Sequence, residues 1–179
     1  MLAEACLLTM IIDLASIRGD VKSIDTQLDP SDIDVTDEPF SIENGVDVAG
    51  ELLRTSLGVE FRGKVTADVS IDCSRCLTPV RRHLDIPFRT VFIEADRAES
   101  EADRQLDEDQ LDETTAEDGR ADLAELAREQ ILLAIPEQIF CSDDCQGICP
   151  KCGGNLNLID CKCADVEIDP RWAALKDLR

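Results

Sequence analysis

The chain has 179 residues and a formal net charge of −21, from 39 acidic side chains against 18 lysines and arginines. The length fits one domain, or one domain with a small additional module. The charge disfavours general binding to nucleic acid, whose phosphates would repel the chain, and an aromatic content of 3% leaves few platforms for stacking on single-stranded bases.

The N-terminal residues predict a strand rather than a targeting signal. Residues 2–12 are apolar, but the run lacks a leading Lys or Arg, contains Glu4 and is followed by Asp13 instead of a small-residue cleavage site. No stretch of the sequence reaches the roughly 18–20 apolar residues that cross a bilayer. We therefore expect a cytoplasmic protein, a strand over residues 9–14, and a buried thiol at Cys6.

Residues 54–93 are the basic, strand-forming part of the chain. Their net charge is +3, whereas residues 1–53, 94–130 and 131–179 carry −10, −11 and −3. Apolar and polar residues alternate over 58–72 with a break at Gly63, which predicts one buried face. That face comprises Val59, Phe61, Val65, Ala67, Val69 and Ile71.

Two further strands are predicted on either side of this one, over residues 46–53 and 84–93. Residues 73–79 have the composition of a tight turn. We therefore predict an antiparallel hairpin, with Cys73 and Cys76 at its tip.

The C-terminal half combines an acidic segment with two predicted helices. Residues 94–119 have few apolar side chains and predict a mobile linker or long loop, either a solvated spacer or an acidic docking segment. Residues 121–134 predict a helix that Pro136 ends, with an apolar face of Leu123, Leu126, Ala127, Ile131 and Ala134. A short final helix is predicted with Asp169 as N-cap, Pro170 at its first position and a stripe of Trp172, Leu175 and Leu178.

These elements predict an α+β fold without an internal repeat. The predicted parts are a β-rich domain over 1–93 with the C-x2-C hairpin tip, an acidic linker over 94–120, and a helix with a Cys-rich tail over 121–179. We expect the antiparallel sheet to form the core, and the helix and tail to pack on it as one unit.

Eight of the nine cysteines form closely spaced pairs, which in a reducing cytosol predicts metal binding rather than disulfides. The strongest signal is the string C-P-K-C-G-G at 149–154. Two thiolates on a tight turn can both bind a tetrahedral ion, Pro150 presets the turn, and Gly153 permits the positive φ needed after the second ligand. Cys161 and Cys163 follow closely enough to complete a four-thiolate site, which is structural rather than catalytic because no position stays open.

The other two pairs leave alternatives open. Cys73 and Cys76 either join Cys141 and Cys145 in a second four-thiolate site, or join one of the two distal pairs in a single site. The expected ion is Zn²⁺, one or two per chain, although all-thiolate sites also accept iron. Reduced structural thiols or a redox-active pair are the other interpretations. Thioredoxin-like exchange is disfavoured, because that chemistry uses a strand-to-helix junction.

The basic side chains of the central segment have two interpretations. They form a face that binds RNA backbone, with Arg75, Arg81 and Arg82 as the best contact candidates, or they neutralise acidic groups of the same chain. His83, the single histidine, is a substitute metal ligand, a phosphate contact or, most simply, a surface residue on a basic strand.

Three cysteine-containing segments carry a resemblance to a known family. The string C-S-R-C-L-T-P at 73–79, after a long strand, is similar to the signature of the YceD family of large ribosomal RNA subunit accumulation proteins. Residues 145–157, the C-x-C pair at 161–163 and D-P-R-W-A-A-L at 169–175 are similar to the Cys-rich tail of many bacterial members. The resemblance spans about residues 40–179, with the acidic segment variable in between.

This resemblance implies a cytoplasmic, non-enzymatic protein needed for accumulation or processing of large-subunit (23S) ribosomal RNA. The sequence agrees, since it has no nucleotide-binding loop, no paired acid and base and no nucleophile beside a base. We therefore expect no membrane partner and no small-molecule substrate.

Two mechanisms are open for such a protein. The basic hairpin contacts ribosomal RNA or a pre-ribosomal particle directly, or the acidic segments hold a basic ribosomal protein in the manner of a chaperone. The alternative from another class is a redox- or metal-responsive thiol regulator.

Overall fold

The computed structural model describes residues 11–19, 21–94, 112–163 and 171. The chain divides into two compact units, which we call the sheet unit (Met1–Ile71 with Arg81–Glu137) and the cysteine unit (Asp72–Val80 with Gln138–Arg179). The predictions for Cys6, for most of the acidic segment and for the final helix with Trp172 lie outside the described residues. That the tail packs on the β domain stays a prediction.

The sheet unit is built on a mixed six-stranded sheet of order β2-β4-β5-β6-β7, with β3 paired to β5 beside this path. The strands are β1 Ile11–Asp13, β2 Lys22–Leu28, β3 Phe40–Ile42, β4 Val46–Arg54, β5 Val59–Asp72, β6 Pro79–Glu94, β7 Glu113–Ala116 and β8 Arg120–Asp122. β4 pairs antiparallel with β2 and β5, whereas β6 and β7 are parallel. β1 and β8 form a separate antiparallel pair. The α+β class is confirmed.

β5 confirms the predicted alternation, since all six residues of its predicted apolar face are buried. The ring of Phe61 meets that of Phe88 on β6 edge-on, with centroids 4.9 Å apart. The break at Gly63 lies opposite Gly50 of β4. A Cβ at either glycine would collide with the facing backbone. The two glycines therefore let these strands approach closely.

The predicted helix is present as α1, Leu123–Ala134, in the same unit. Asp122 is its N-cap and accepts a hydrogen bond from the backbone N–H of Ala124 at 2.8 Å. Four of the five residues predicted for its apolar face are buried, and Ala134 is half-buried. The helix ends two residues before Pro136, as expected because proline disfavours helical backbone at the residue before it. Within the described part of the chain, no helix is both long and apolar enough to cross a membrane.

Several elements differ from the prediction. The strand expected over residues 9–14 is found at Ile11–Asp13 and is followed by a 3-10 turn at Leu14–Ser16. The strands β2, β3, β7 and β8 were not predicted. β7 lies inside the segment that is predicted to be a linker. Its four residues are extended because they pair with residues 91–94 of β6.

Candidate metal centres

The described part of the cysteine unit has a very small apolar core. Of the six buried apolar side chains in its described part, four are cysteines; the six are Cys73, Cys76, Val80, Ile139, Cys145 and Cys149. Modules with so little apolar interior generally need cross-links or a metal to hold one structure. Cysteine side chains therefore make up most of the buried apolar interior in the described part of this unit.

The eight paired cysteines form two groups of four. The Cys73 centre contains Cys73, Cys76, Cys141 and Cys145, and the Cys149 centre contains Cys149, Cys152, Cys161 and Cys163. Within each group, every Sγ atom lies within 4.8 Å of the other three. The sulfur atoms are thus grouped as the two-site alternative expects, and Cys73 and Cys76 do not join a distal pair.

The sulfur–sulfur distances fit a bound ion. The Sγ atoms of Cys76 and Cys141 are 3.5 Å apart, those of Cys73 and Cys145 are 3.8 Å apart, and those of Cys152 and Cys161 are 3.7 Å apart. A tetrahedral ion with sulfur ligands at about 2.3 Å separates those ligands by about 3.8 Å. A disulfide needs about 2.05 Å. Both groups are therefore compatible with a tetrahedral thiolate site and not with a disulfide between these pairs.

Cys73 and Cys76 lie on the turn that joins β5 to β6. The backbone N–H of Cys73 donates to the carbonyl of Thr78, and that of Leu77 donates to the carbonyl of Cys73, both at 2.9 Å. Leu77 has φ +58°, in the left-handed region. The closed turn holds both cysteines at the end of the hairpin, as predicted.

The Cys149 centre contains the same turn. The backbone N–H of Cys149 donates to the carbonyl of Gly154, and that of Gly153 donates to the carbonyl of Cys149, both at 2.8 Å. Gly153 has φ +71°, which confirms its predicted role. The two turns share this geometry and the C-x2-C spacing, although the residues between and after the cysteines differ.

Ser74 and Arg75 hold the segment that carries Cys141 and Cys145. The backbone N–H of Ser74 donates to the carbonyl of Ile139 at 2.7 Å, and the N–H of Ile139 donates to Oγ of Ser74 at 3.1 Å. The guanidinium of Arg75 lies 4.2 Å from the centre of the Phe140 ring and donates to the carbonyl of Cys145 at 3.1 Å. Arg75 thus has a structural contact within this unit, while its role toward RNA stays a prediction.

The thiols of the Cys73 centre ionise unequally. Burial opposes ionisation of Cys73, but backbone N–H groups of Arg75, Cys76 and Cys141 donate to its sulfur and lower its pKa to about 6. The hydroxyl and backbone N–H of Thr78 lower the pKa of Cys76. The neighbouring sulfurs, first that of Cys76, raise the pKa of Cys141 to about 12.

The Cys149 centre shows the same division. Backbone N–H groups of Cys152 and Lys151 lower the pKa of Cys149 to about 6. The sulfurs of Cys161 and Cys152 raise the pKa of Cys163 to about 12. In each centre, hydrogen bonds therefore stabilise the thiolate of one cysteine, whereas neighbouring sulfur atoms disfavour ionisation of another. A cation among the sulfurs would offset that unfavourable interaction.

Basic side chains of the sheet unit are paired with carboxylates of the same unit. The buried Glu60 accepts from Nε of Arg62 at 2.6 Å and from Nε of Arg89 at 2.5 Å. The other pairs are Lys64–Asp85 (3.1 Å), Arg81–Glu43 (2.9 Å) and His83–Asp68 (2.8 Å). Arg82 is exposed and donates to the carbonyl of Arg81 at 3.4 Å. This pattern favours local neutralisation over an open basic face, and it places His83 in an exposed hydrogen-bonded contact with Asp68, outside both cysteine groups.

Comparison with known proteins connects these centres to one family. The model of the family described as large ribosomal RNA subunit accumulation protein YceD matches residues 61–179. The matched range includes all eight grouped cysteines. No solved structure gives a significant match.

Individual relatives extend this likeness. An uncharacterized protein of Mycobacterium tuberculosis is 31% identical over 143 residues, which is 79% of this chain and 66% of that protein, just under two thirds of its length. The uncharacterized protein YlbN of Bacillus subtilis is 31% identical over 134 residues, 74% of this chain and 73% of YlbN. A chloroplastic large ribosomal RNA subunit accumulation protein, YCED homolog 1 of Arabidopsis thaliana, is 36% identical over 58 residues, 32% of this chain and 18% of that protein.

Proposed function

The chain belongs to the YceD family, and from this premise we propose that it is a non-enzymatic cytoplasmic factor for the accumulation of large-subunit (23S) ribosomal RNA. The observation that carries the proposal is the family match over residues 61–179. Its proposed partner is the large-subunit ribosomal RNA or a pre-ribosomal particle that contains it.

In this proposal the two cysteine groups bind structural Zn²⁺, one ion in each. Four thiolates close the coordination shell of each ion and leave no position for substrate, so the ions act as cross-links rather than as catalysts. Cys73 and Cys76 with Cys141 and Cys145 join two segments that lie 65 residues apart at their nearest ligands. Such a cross-link gives a defined shape to the described part of the cysteine unit, which buries few apolar side chains.

The charge distribution favours contact through a basic ribosomal protein over direct binding of RNA. The net charge is −21, and Arg62, Arg81 and Arg89 already pair with carboxylates of the sheet unit. Positive charges that are neutralised in this way contribute little attraction for phosphate. Complementary charge instead steers an acidic protein toward a basic partner. An acidic, chaperone-like binder of a basic ribosomal protein is therefore the preferred mechanism.

The test is complementation in a bacterial host that lacks its own YceD protein. We expect the chain to restore the ratio of large-subunit to small-subunit ribosomal RNA, and the Cys76→Ser/Cys141→Ser variant to fail, because it removes two ligands of the Cys73 centre. Ser142→Ala is the matched control, since Ser142 lies exposed between the ligands Cys141 and Cys145. Failure of the unmodified, expressed chain to restore the ratio would contradict the proposed function.

A further inference from the structure

Two asparagines in the loop of the Cys149 centre reach the Cys73 centre. Asn155 and Asn157 lie between Cys152 and Cys161, so both belong to the loop that the Cys149 centre closes. The side-chain nitrogen of Asn157 donates to Sγ of Cys145 at 3.4 Å. That of Asn155 donates to Oγ1 of Thr78 at 3.2 Å. The Thr78 oxygen is in turn 3.3 Å from Sγ of Cys76.

Neighbouring N–H donors determine which way each amide faces. Oδ1 of Asn157 accepts the backbone N–H of Gln146 at 2.8 Å, so its nitrogen must face the sulfur. Oδ1 of Asn155 accepts the backbone N–H of Asn157 at 2.9 Å, so its nitrogen must face Thr78. As a free thiol, Cys76 donates to the Thr78 oxygen. Once Cys76 binds a metal as a thiolate, the Thr78 hydroxyl, which accepts from Asn155, can donate its own proton to the sulfur. Donors of this kind stabilise metal-bound ligands from the outer shell.

The backbone holds the loop in the same place. The N–H of Leu156 donates to the carbonyl of Gly147 at 2.9 Å, and Ile148 pairs antiparallel with Asn155. Gly147 has φ +77°, and a Cβ there would lie 3.1 Å from the carbonyl oxygen of Arg75. The short stretch from Cys145 to Cys149, which carries one ligand of each centre, is thus bound directly to the asparagine loop.

We propose that Asn155 and Asn157 couple the two centres energetically. An ion in the Cys149 centre orders the loop that carries both asparagines, and the ordered asparagines raise the affinity of the Cys73 centre. Linkage requires the same factor in the reverse direction. Loss of outer-shell partners lowers metal affinity by about 10–100-fold, and we expect a coupling factor in this range. The inference rests on the metal binding within the proposed function.

The test is a Zn²⁺ titration of the full chain against a competing chelator. Each centre is measured alone in Cys76→Ser/Cys141→Ser, which keeps the Cys149 centre, and in Cys161→Ser/Cys163→Ser, which keeps the Cys73 centre. The product of the two dissociation constants of the unmodified chain should be about 10–100-fold smaller than the product from these two variants.

The asparagine variant tests the route of the coupling. Asn157→Ala in the unmodified background should reduce the coupling factor, and Asn155→Ala/Asn157→Ala should reduce it to near one. In Cys161→Ser/Cys163→Ser, Asn157→Ala should cause little further loss of Zn²⁺ affinity at the Cys73 centre. Asn44→Ala is the matched control, since that amide binds Asp68 in the sheet unit, and it should leave the factor unchanged.

Each contrary outcome is distinct. Two ions that bind independently, or a coupling factor that Asn157→Ala leaves unchanged, would overturn the inference and leave the proposed metal binding intact. Binding of fewer than two ions would overturn both the inference and the metal assignment. The proposed function is tested separately, by the ratio of large-subunit to small-subunit ribosomal RNA in the complementation experiment.

Discussion

Leu77 and Gly153 occupy equivalent positions in two copies of one cysteine turn. Each directly follows the second cysteine of a C-x2-C pair, each has a positive φ (+58° and +71°), and each donates its N–H to the carbonyl of the first cysteine. Glycine adopts this backbone without strain, whereas a leucine does not. The side chain of Leu77 is 60% exposed, so little burial offsets that strain.

The strain predicts that Leu77→Gly stabilises the protein. The left-handed conformation costs a non-glycine residue about 1–2 kcal/mol, and the added chain entropy of glycine offsets about 0.5–1 kcal/mol of the relief. We expect a gain of about 0.5–1 kcal/mol in the free energy of unfolding of the Zn²⁺-loaded protein, measured by urea denaturation. Leu158→Gly, at an 80% exposed leucine without a positive φ, is the control and should destabilise. Equal losses in both variants would show that Leu77 is not strained.

Metal-bound thiols should resist alkylation. Cys141, Cys152 and Cys163 are exposed. The raised pKa of Cys141 and Cys163 slows their alkylation even without an ion, because the thiolate is the reactive form. Cys152 is therefore the informative thiol, and we expect mass spectrometry of peptides to show it protected from iodoacetamide in the purified protein and rapidly modified after a strong chelator is added. In Cys76→Ser/Cys141→Ser, Cys73 and Cys145 should lose protection while Cys152 keeps it. Rapid modification of Cys152 in the unmodified protein without a chelator would favour the thiol-regulator alternative.

Glu60 predicts a pH-dependent contribution to stability. Hydrogen bonds from Arg62 and Arg89 hold the pKa of this carboxyl below its usual range. A carboxyl whose folded pKa is lowered contributes stability above its unfolded pKa, and that contribution is lost as the pH falls through the folded pKa. Glu60→Gln should therefore cost about 1–3 kcal/mol at neutral pH.

The measurement for Glu60→Gln is urea denaturation at several pH values. The cost should shrink as the pH falls below the ordinary carboxyl value of 4.5. Glu51→Gln, at an exposed carboxylate of β4, is the matched control and should have little effect at any pH. A cost for Glu60→Gln that is the same at neutral and acidic pH would contradict the ion-pair account.

The preferred mechanism predicts that the chain binds a pre-ribosomal particle without binding naked ribosomal RNA. Arg81 is already paired with Glu43, so Arg81→Glu/Arg82→Glu should leave the affinity for the particle almost unchanged in a sedimentation assay. Lys22→Glu on β2 is the control for added negative charge. An RNA affinity that appears at low salt, falls as salt rises and is lost in the double variant would instead support direct binding.

The sequence predicts β5 and the cysteine groups well because both depend on local physical rules. Alternation over β5 places Val59 and Ile71 on the same face whatever lies around them. Two thiolates separated by two residues, such as Cys149 and Cys152, reach one ion through turn geometry alone. The grouping of Cys73 and Cys76 with Cys141 and Cys145 is less local, and the sequence leaves it as one of two open alternatives because spacing does not decide between them.

Other features could not be predicted because the contacts that form them are distant in sequence. β7 has the sequence E-T-T-A, which carries no apolar period, and it is extended because it pairs with residues 91–94 of β6. Asn155 and Asn157 look like ordinary loop residues, and only the folded chain places them beside Thr78 and Cys145. The ion pair of Glu60 with Arg89 likewise joins two residues that are 29 positions apart in the sequence.

Metal content tests the central claim, two four-thiolate centres, most directly. Inductively coupled plasma mass spectrometry on the full chain, purified without chelators, should give two Zn²⁺ ions per chain. Cys76→Ser/Cys141→Ser and Cys161→Ser/Cys163→Ser should each give one. A value near zero in the unmodified protein, or a value near one that only one of the two variants lowers, would contradict the two-centre account.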